Sequence, residues 1–196
     1  RKDGTIYIGV KNNGVDGNGS LIALFPDGSL KWRYYLDDPI DAWKSGVSPT
    51  IAPAIGPDGT IYIGTYWNFY AINPDGTLKW QVSTGSDFKL SVPAISSDGT
   101  VYVDTQDGLS AINSVDGSIK WSFGDFDSVG NEDSIAIDSN GVVYAGSVNY
   151  LYAINPDGTV KWSYYKSFDY FSSPKIGADG TVYVHHDVYW ITALGQ

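Results

Sequence analysis

The sequence has no cysteine, only two histidines and a single glutamate, Glu132, among its 196 residues. Without cysteine there can be no disulfide bond, no thiol nucleophile and no thiolate metal site. The two histidines, His185 and His186, are adjacent. Neighbouring residues of a regular strand point to opposite faces, so this pair cannot clamp one metal ion together.

Basic residues are also scarce, with 12 Lys and Arg against 22 Asp and Glu and a formal net charge of −10. A phosphate backbone or an anionic membrane surface would be repelled, which excludes nucleic acid as a partner. No apolar run is long enough to span a membrane, and no signal peptide is recognisable. The chain opens at Arg1 inside a repeat, so we expect a mature form or a cut piece.

The sequence is rich in aromatic residues and glycine, with 15 Tyr, 7 Trp and 23 Gly, and it repeats itself. Residues 70–80 read YAINPDGTLKW, and residues 152–162 read YAINPDGTVKW. The same phrase ends at four tryptophans placed about 41–48 residues apart: Trp32, Trp80, Trp121 and Trp162. A period of this length is typical of propeller and solenoid repeats.

Each repeat holds four short segments rich in Ile, Val, Tyr and Trp, which we call strands A (PAIG), B (IYIG), C (YAIN) and D (TLKW). Tight turns join A to B and C to D, because Pro, Asp and Gly in NPDGT suit successive turn positions. No segment has a helical period. Four antiparallel strands per repeat predict an all-β fold, a β-propeller.

The repeat predicts a single propeller domain over residues 1–196 with five blades. The units span approximately 3–36, 48–84, 91–124, 131–166 and 172–194. The first unit lacks strand A and the last lacks strand D. The alternative is a segment of a larger ring, and the way in which the ring closes and the oligomeric state stay open.

Two residue types have predicted structural roles. Proline cannot donate a hydrogen bond to a sheet, so Pro53, Pro93 and Pro174 place strand A at the inner edge of each blade. The four tryptophans of strand D are predicted to pack between blades. A small residue recurs in strand C and leaves room for them: Ala23, Ala71, Ala111, Ala153 and Ala193.

The phrase built on Ala71, Gly76, Lys79 and Trp80 resembles the tryptophan docking motif of the PQQ-like (quinoprotein-type) β-propellers. The resemblance covers essentially the whole chain and implies the fold. That family includes quinone-dependent dehydrogenases, an outer-membrane assembly lipoprotein and many extracellular proteins. Its dehydrogenases are longer and use adjacent cysteines with a calcium ion held by Glu and Asn. The resemblance therefore implies a non-catalytic member here, with no catalytic residue and no cofactor.

The B–C loops and the D–A links share one face of the predicted propeller, and these are the segments that vary between units. Loops on a rigid scaffold are where binding usually occurs. A flat aromatic ring with polar surroundings suits a sugar or a peptide. The predicted ligand-binding residues are Trp43, Tyr66, Trp67, Phe88, Phe126, Tyr170 and Tyr189.

One D–A link, GDFDSVGNED, is rich enough in oxygen ligands to hold Ca²⁺ through Asp125, Asp127 and Glu132. Turn formation and solvation explain the same residues without any metal. Calcium is therefore a secondary expectation.

These observations together predict a non-catalytic binding module, extracellular or at the cell surface, with carbohydrate as the expected ligand. The alternative is a protein–protein interaction scaffold, because incomplete end blades leave sheet edges that could accept a partner's strand. A fragment of a quinone-dependent dehydrogenase is the third reading.

Overall fold

The computed structural model describes residues 3–10, 19–37, 52–65, 68–83, 92–105, 108–124, 135–186 and 190–195. These residues form 17 β-strands, and they include no helix. The strands follow one another in five units, here called blades 1 to 5, from the N-terminus.

The strand bounds are as follows. Blade 1 comprises β1 (Ile6–Val10), β2 (Ser20–Leu24) and β3 (Leu30–Tyr35). Blade 2 comprises β4 (Ala54–Ile55), β5 (Ile61–Gly64), β6 (Asn68–Ile72) and β7 (Leu78–Ser83). Blade 3 comprises β8 (Ala94–Ile95), β9 (Val101–Thr105), β10 (Gly108–Ile112) and β11 (Ile119–Phe123). Blade 4 comprises β12 (Ala136–Ile137), β13 (Val143–Gly146), β14 (Val148–Ile154) and the first part of β15 (Val160–Ile176). Blade 5 takes the rest of β15, with β16 (Val182–His186) and β17 (Trp190–Leu194).

Every strand pairs antiparallel with the strand that follows it in its sheet, so each blade is a meander in chain order. In blade 2 the register places Ala71 opposite both Tyr62 and Trp80. The predicted all-β propeller of four-stranded antiparallel blades is confirmed.

Strand A is shorter than the sequence suggests. β4 and β8 each contain two residues, and Pro53 and Pro93 lie just before them rather than inside them. The expected placement of these two prolines within the strand was therefore wrong by one residue. The physical reason is that proline has no N–H group to donate to the neighbouring strand.

Blades 4 and 5 are joined differently from the other blades. The sequence predicts a D–A link in the form of a loop between these two units, but β15 runs without interruption from Val160 to Ile176 and serves both blades. The residues of this stretch, with several Tyr and Phe, favour an extended backbone. Gly146 permits the crossing, since a Cβ atom there would lie 2.0 Å from the carbonyl oxygen of Phe171. The predicted loop was wrong, and its replacement by a strand yields a six-stranded sheet.

The hydrophobic core lies between blades rather than at one centre. Between blades 2 and 3, Tyr62, Phe69 and Ala71 pack against Val101 and Val103, and all five side chains are buried. Similar clusters fill the junctions of blades 1 and 2, 3 and 4, and 4 and 5. Each blade is thus stabilised mainly by the blades next to it, as in other repeat proteins.

A tryptophan of strand D closes each of the first three junctions. The indole Nε1–H of Trp32 donates to the carbonyl oxygen of Pro74 at 3.0 Å. Trp80 donates to Ser114 at 2.9 Å, and Trp121 donates to Pro156 at 2.9 Å. Each ring lies on a turn glycine of the next blade, where a Cβ atom would come within 3.0 Å of the ring. These glycines are Gly76, Gly117 and Gly158.

Candidate binding surface

The meander gives every blade two ends of different character. We call the end with the A–B and C–D turns the turn end, and the end with the B–C connections and the links between blades the loop end. In blade 2 the turn end comprises residues 56–60 and 73–77. Four-residue turns of the same kind recur in the other blades, except that the C–D turn of blade 3 is one residue longer.

Aspartates at the turn end act as caps for the turn backbone. The backbone N–H of Thr5 donates to Asp3 at 3.1 Å, and this bond, with that of the Thr5 hydroxyl, lowers the pKa of Asp3 to about 2. Hydrogen bonds from a residue two positions away lower the pKa of further turn aspartates: Asp27, Asp75, Asp98, Asp116, Asp157 and Asp179. A carboxylate that accepts such bonds is stabilised in its ionised form.

Lysines of strand D add a second contact to the same turns. The ammonium group of Lys79 lies 3.0 Å from Asp58 and 3.1 Å from the hydroxyl of Thr60. Burial alone would raise the pKa of Asp58, but bonds from Thr60 and Lys79 outweigh it, and the net pKa is lowered. Lys31 contacts Asp3 at 3.4 Å in the same way. In blades 1 and 2, a lysine of strand D therefore forms an ion pair with a turn aspartate of the same blade.

Blade 4 departs from this pattern by moving its aspartate two positions earlier. Asn140 replaces the usual aspartate, and Asp138 accepts the backbone N–H groups of Asn140 and Val142 at 2.8 and 2.9 Å. Asp138 also accepts the hydroxyl of Tyr144 at 3.2 Å. Burial, with the nearby negative charge, raises the pKa of Tyr144 to about 12. The function of the cap is thus kept with a different sequence.

The loop end of blade 4 presents an aromatic cluster, which we call the tyrosine surface: Phe123, Tyr150, Tyr152 and Tyr165. The rings of Tyr150 and Tyr165 have centroids 4.9 Å apart, and Tyr150 stacks on Tyr152 at 5.3 Å. Phe123 of blade 3 meets Tyr152 edge-on at 4.9 Å. Tyr165 is 57% exposed, whereas Tyr152 is buried. An exposed ring is thereby held by a packed aromatic base.

A tight turn fixes the position of Tyr150. The backbone N–H of Ser147 donates to the carbonyl oxygen of Tyr150 at 2.7 Å, and Asn149 adopts a left-handed backbone with φ of 64°. Asparagine tolerates this conformation better than most residues. The sequence predicts a B–C loop here, and the structure gives a tight turn that holds Tyr150 opposite Tyr165.

Sequence reasoning missed Tyr150 and Tyr165, although a signal was present. If Ala153 is set opposite Trp162 in an antiparallel hairpin, counting outward puts Tyr150 opposite Tyr165, as observed. The same count gives Ser20 opposite Tyr35 in blade 1 and Asn68 opposite Ser83 in blade 2. Of the hairpins described at these positions, that of blade 4 carries two aromatic rings.

Most of the predicted ligand-binding residues fall outside the described part of the chain: Trp43, Tyr66, Trp67, Phe88, Phe126 and Tyr189. The remaining one, Tyr170, lies in β15, where its backbone pairs with Val148. The three predicted calcium ligands, Asp125, Asp127 and Glu132, also lie outside the described residues. Within the described ranges, no group of three or more His, Asp or Glu could hold a metal ion.

The tyrosine surface can bind a ligand by ring stacking and hydrogen bonding. A tyrosine ring offers a flat apolar face for stacking, and its hydroxyl both donates and accepts hydrogen bonds. At the loop end of blade 2, two polar side chains form hydrogen bonds within the protein. The side chains of Asn68 and Tyr70 donate to the carbonyl oxygen of Asp37 at 3.3 and 3.1 Å, and they hold the end of blade 1 against blade 2.

Several solved structures share the fold. BamB from Moraxella catarrhalis matches with a TM-score of 0.63 and 16% identity, over 93% of this chain and 58% of BamB. A europium-containing methanol dehydrogenase matches with a TM-score of 0.63 and 12% identity, over 92% of this chain and 47% of the enzyme. An extracellular domain of a two component system from B. thetaiotaomicron matches with a TM-score of 0.57 and 16% identity, over 96% of this chain and 27% of that chain.

This chain spans less than two thirds of the length of each of these three proteins. At such low identity the matches show the fold alone, and that fold includes both an assembly factor and an enzyme. No curated protein matches the sequence. The described ranges contain no helix with the length and apolar character needed to cross a membrane.

A match of the sequence itself assigns the chain to a family, which the structural similarities do not. Residues 17–187, well over half of the chain, match the family described as outer membrane protein assembly factor BamB. The resemblance to PQQ-like repeats drawn from the tryptophan phrase is confirmed by this match. The chain therefore belongs to the BamB-like family of PQQ-like β-propeller repeat proteins.

Proposed function

We propose that this protein is a non-catalytic binding module, extracellular or in the cell envelope, that holds carbohydrate at the tyrosine surface. The observation that carries the proposal is Tyr165, which is 57% exposed at the loop end and lies 4.9 Å from the ring of Tyr150. A ring held in place before binding loses little conformational freedom when a ligand stacks on it.

The charge of the chain narrows the ligand class. With a formal net charge of −10, the protein repels sulfated and uronic acid polysaccharides at moderate ionic strength. A neutral glycan meets no such barrier and offers the flat C–H face that an aromatic ring accepts. We therefore expect neutral sugars to bind better than anionic ones, without a cofactor.

A non-catalytic role is supported by where the perturbed acids lie. The lowered carboxyl pKa values among the described residues belong to turn aspartates such as Asp3 and Asp58. Hydrogen bonds from the turn itself and a lysine of strand D account for the lowered pKa of these two carboxyl groups. Enzymes place perturbed groups together in a cleft. Glycoside hydrolysis in addition needs a matched pair of carboxylic acids at the scissile bond.

A second candidate is a protein–protein interaction scaffold, and the family match favours it. The family is described as an outer membrane assembly factor, and one similar structure is an extracellular domain. We propose an extracellular or cell-envelope location for either candidate. An aromatic surface at a rim of polar groups also suits a peptide ligand, so the two candidates must be separated by experiment.

The test is binding of the labelled chain to a broad glycan array, with and without Ca²⁺, using the native protein and two variants. Tyr165→Ala removes the exposed ring of the tyrosine surface. Tyr35→Ala is the matched control, because Tyr35 occupies the same position in blade 1 and is 61% exposed, but no second tyrosine lies opposite it.

We expect Tyr165→Ala to weaken binding to a neutral glycan about tenfold, which corresponds to the loss of one aromatic contact. Tyr35→Ala should bind like the native chain. Equal binding by all three proteins would place the ligand elsewhere. A blank array with folded protein would reject the carbohydrate ligand and favour the scaffold, and a calcium requirement would show that binding needs the metal.

A further inference from the structure

Oxidants that attack a protein usually react first with its sulfur side chains, and this sequence has none. It contains no cysteine and no methionine, but it contains 15 Tyr and 7 Trp. Cysteine and methionine are the residues that are most easily oxidised in other proteins. Without them, the aromatic rings give up an electron most readily, so oxidation falls on the tyrosines and tryptophans that an oxidant can reach.

Among the described residues, three pairs of tyrosine rings lie close together, and one pair includes an exposed ring. Tyr34 and Tyr70 have ring centroids 6.3 Å apart, and Tyr70 is fully buried. Tyr150 and Tyr152 lie 5.3 Å apart, and Tyr152 is buried. The rings of Tyr150 and Tyr165 are the closest, at 4.9 Å, and Tyr165 is 57% exposed. The third pair therefore combines ring contact with access for an oxidant.

The hairpin of blade 4 keeps these two rings together. Tyr150 of β14 pairs directly with Tyr165 of β15, and the Cβ atoms of side chains at such opposed positions lie about 5 Å apart. Tyr150 also stacks on Tyr152, with an angle of 20° between the ring planes. Tyr150 therefore has little freedom to turn away from Tyr165. Two groups held in this way react far faster than the same groups free in solution.

We propose that Tyr150 and Tyr165 form a modification site, at which a one-electron oxidant such as a peroxidase with hydrogen peroxide joins the two rings by a carbon–carbon bond. The oxidant takes an electron from the exposed ring of Tyr165, and the phenolic proton of that ring passes to water. Tyr150 then gives an electron to Tyr165 through their ring contact and releases its own phenolic proton to water. A second oxidation of Tyr165 leaves both rings as radicals.

The two radicals couple at ring carbons next to those that carry the oxygens, and a carbon–carbon bond forms. The hydrogen on each coupled carbon leaves as a proton, and a proton returns to each phenol oxygen. In total the protein loses two electrons and two protons, which reduce one molecule of hydrogen peroxide to two molecules of water. The product is a dityrosine cross-link between β14 and β15.

Such a bond connects neighbouring strands of blade 4 covalently, in a sequence that has no cysteine for a disulfide. A cross-link stabilises a fold mainly because it restricts the unfolded chain. The bond also fixes the exposed ring of the tyrosine surface. The inference rests on ring contact and exposure, and it holds whichever ligand that surface binds.

The test treats the full chain, at low protein concentration, with a peroxidase and hydrogen peroxide, and it includes three variants that each lose one hydroxyl group. Tyr150→Phe and Tyr165→Phe keep the rings but prevent a phenoxyl radical at the site. Tyr35→Phe is the matched control, because Tyr35 is 61% exposed at the equivalent position of blade 1 and pairs with Ser20. Size-exclusion chromatography isolates the monomer, so that cross-links between copies are removed.

Dityrosine fluorescence, the mass of the intact monomer and peptide mapping measure the outcome. Trypsin cuts after Lys161 and so separates Tyr150 from Tyr165 unless the two are linked. The native chain and Tyr35→Phe should lose the mass of two hydrogen atoms and yield one linked peptide that contains both tyrosines. Tyr150→Phe and Tyr165→Phe should yield no linked peptide.

The cross-linked native monomer should also melt at a higher temperature than the untreated chain. A native monomer that forms no cross-link, or a cross-link that forms equally well in Tyr165→Phe, would overturn the proposal. A cross-linked monomer that melts at the same temperature as the untreated chain would overturn its stabilising role.

Discussion

The two ends of the blades carry different amounts of sequence variation for different physical reasons. At the turn end, residues 73–77 and 155–159 are identical in sequence and form the same hydrogen bonds, from Asn to Thr across the turn. At the loop end, the same hairpins end in Asn68 and Ser83 in blade 2 but in two tyrosines in blade 4. One end is repeated closely and the other is free to vary.

Packing explains the difference. Each C–D turn of blades 2 to 4 receives a tryptophan from the blade before it, so a change in the turn disturbs two blades at once. Among the described residues of the loop end, no contact recurs between neighbouring blades in this way. A repeat protein can therefore keep its stability at one end and change its ligand contacts at the other.

The largest expected effect concerns a docked tryptophan. Trp80→Ala removes a buried ring and its hydrogen bond to Ser114, and it should lower the free energy of unfolding by about 3–5 kcal/mol. Trp162 is the matched position in blade 4, but it is only half-buried and its Nε1–H has no hydrogen bond among the described residues. Trp162→Ala should lower the free energy of unfolding by about 2 kcal/mol. Urea denaturation measures both, and equal losses would show that docking adds nothing.

A smaller effect is expected at the turn glycines. Gly158 and Gly28 have nearly the same backbone, with φ of 89° and 85°. A Cβ atom at Gly158 would lie 2.8 Å from the ring of Trp121, whereas that at Gly28 would meet no atom within 4 Å. Gly28→Ala should lower the free energy of unfolding by about 1 kcal/mol through backbone strain alone. Gly158→Ala should lower it by about 2–4 kcal/mol, because the ring must also move.

The difference in stability between these two alanine variants separates the contribution of the docked tryptophan from that of the turn conformation. Thermal melting of both proteins under the same conditions is sufficient to measure it. If both variants lose the same stability, the turn conformation and not the tryptophan explains why the turn end is so uniform.

The smallest expected effect per residue is the loss of folding stability at low pH. The pKa of Asp3 falls from 3.8 to about 2 on folding, and the other turn aspartates shift in the same direction. A lowered folded pKa adds stability above the unfolded value and loses it as pH falls toward the folded value. Stability should therefore drop progressively from about pH 4 to about pH 2.

Urea midpoints measured across this range check the expectation. Asp58→Asn keeps an oxygen that can accept the Thr60 N–H but removes the charge, so its midpoint should depend less on pH than that of the native chain. An identical pH dependence in both proteins would mean that the turn carboxylates do not govern acid unfolding.

Much of the fold could be predicted from the sequence because the repeat is short and local. The register follows from Ala71 and Trp80, which face each other across a turn of known geometry. The continuous strand β15 could not be predicted in this way. Its course depends on the close approach of Gly146 to Phe171, a contact between segments that lie far apart along the chain.

The tyrosine surface was partly predictable. Placing Tyr150 opposite Tyr165 requires only the hairpin register, but the burial of Tyr152 depends on where Phe123 of blade 3 lies. Sequence reasoning instead favoured aromatic residues of the B–C loops and D–A links, such as Trp43 and Trp67. Their role stays a prediction, since both lie outside the described residues.

The sequence by itself determined the blades, since the turns and the alternation of apolar residues act over a few positions and specify each hairpin locally. Only the tertiary structure decided which residues at equivalent positions of the repeats are buried. Ile8 and Ile63 occupy the same place in their repeats, yet Ile63 is buried and Ile8 is exposed. The reason is that burial depends on the neighbouring blade, and a residue's own repeat says nothing about whether that neighbour is there.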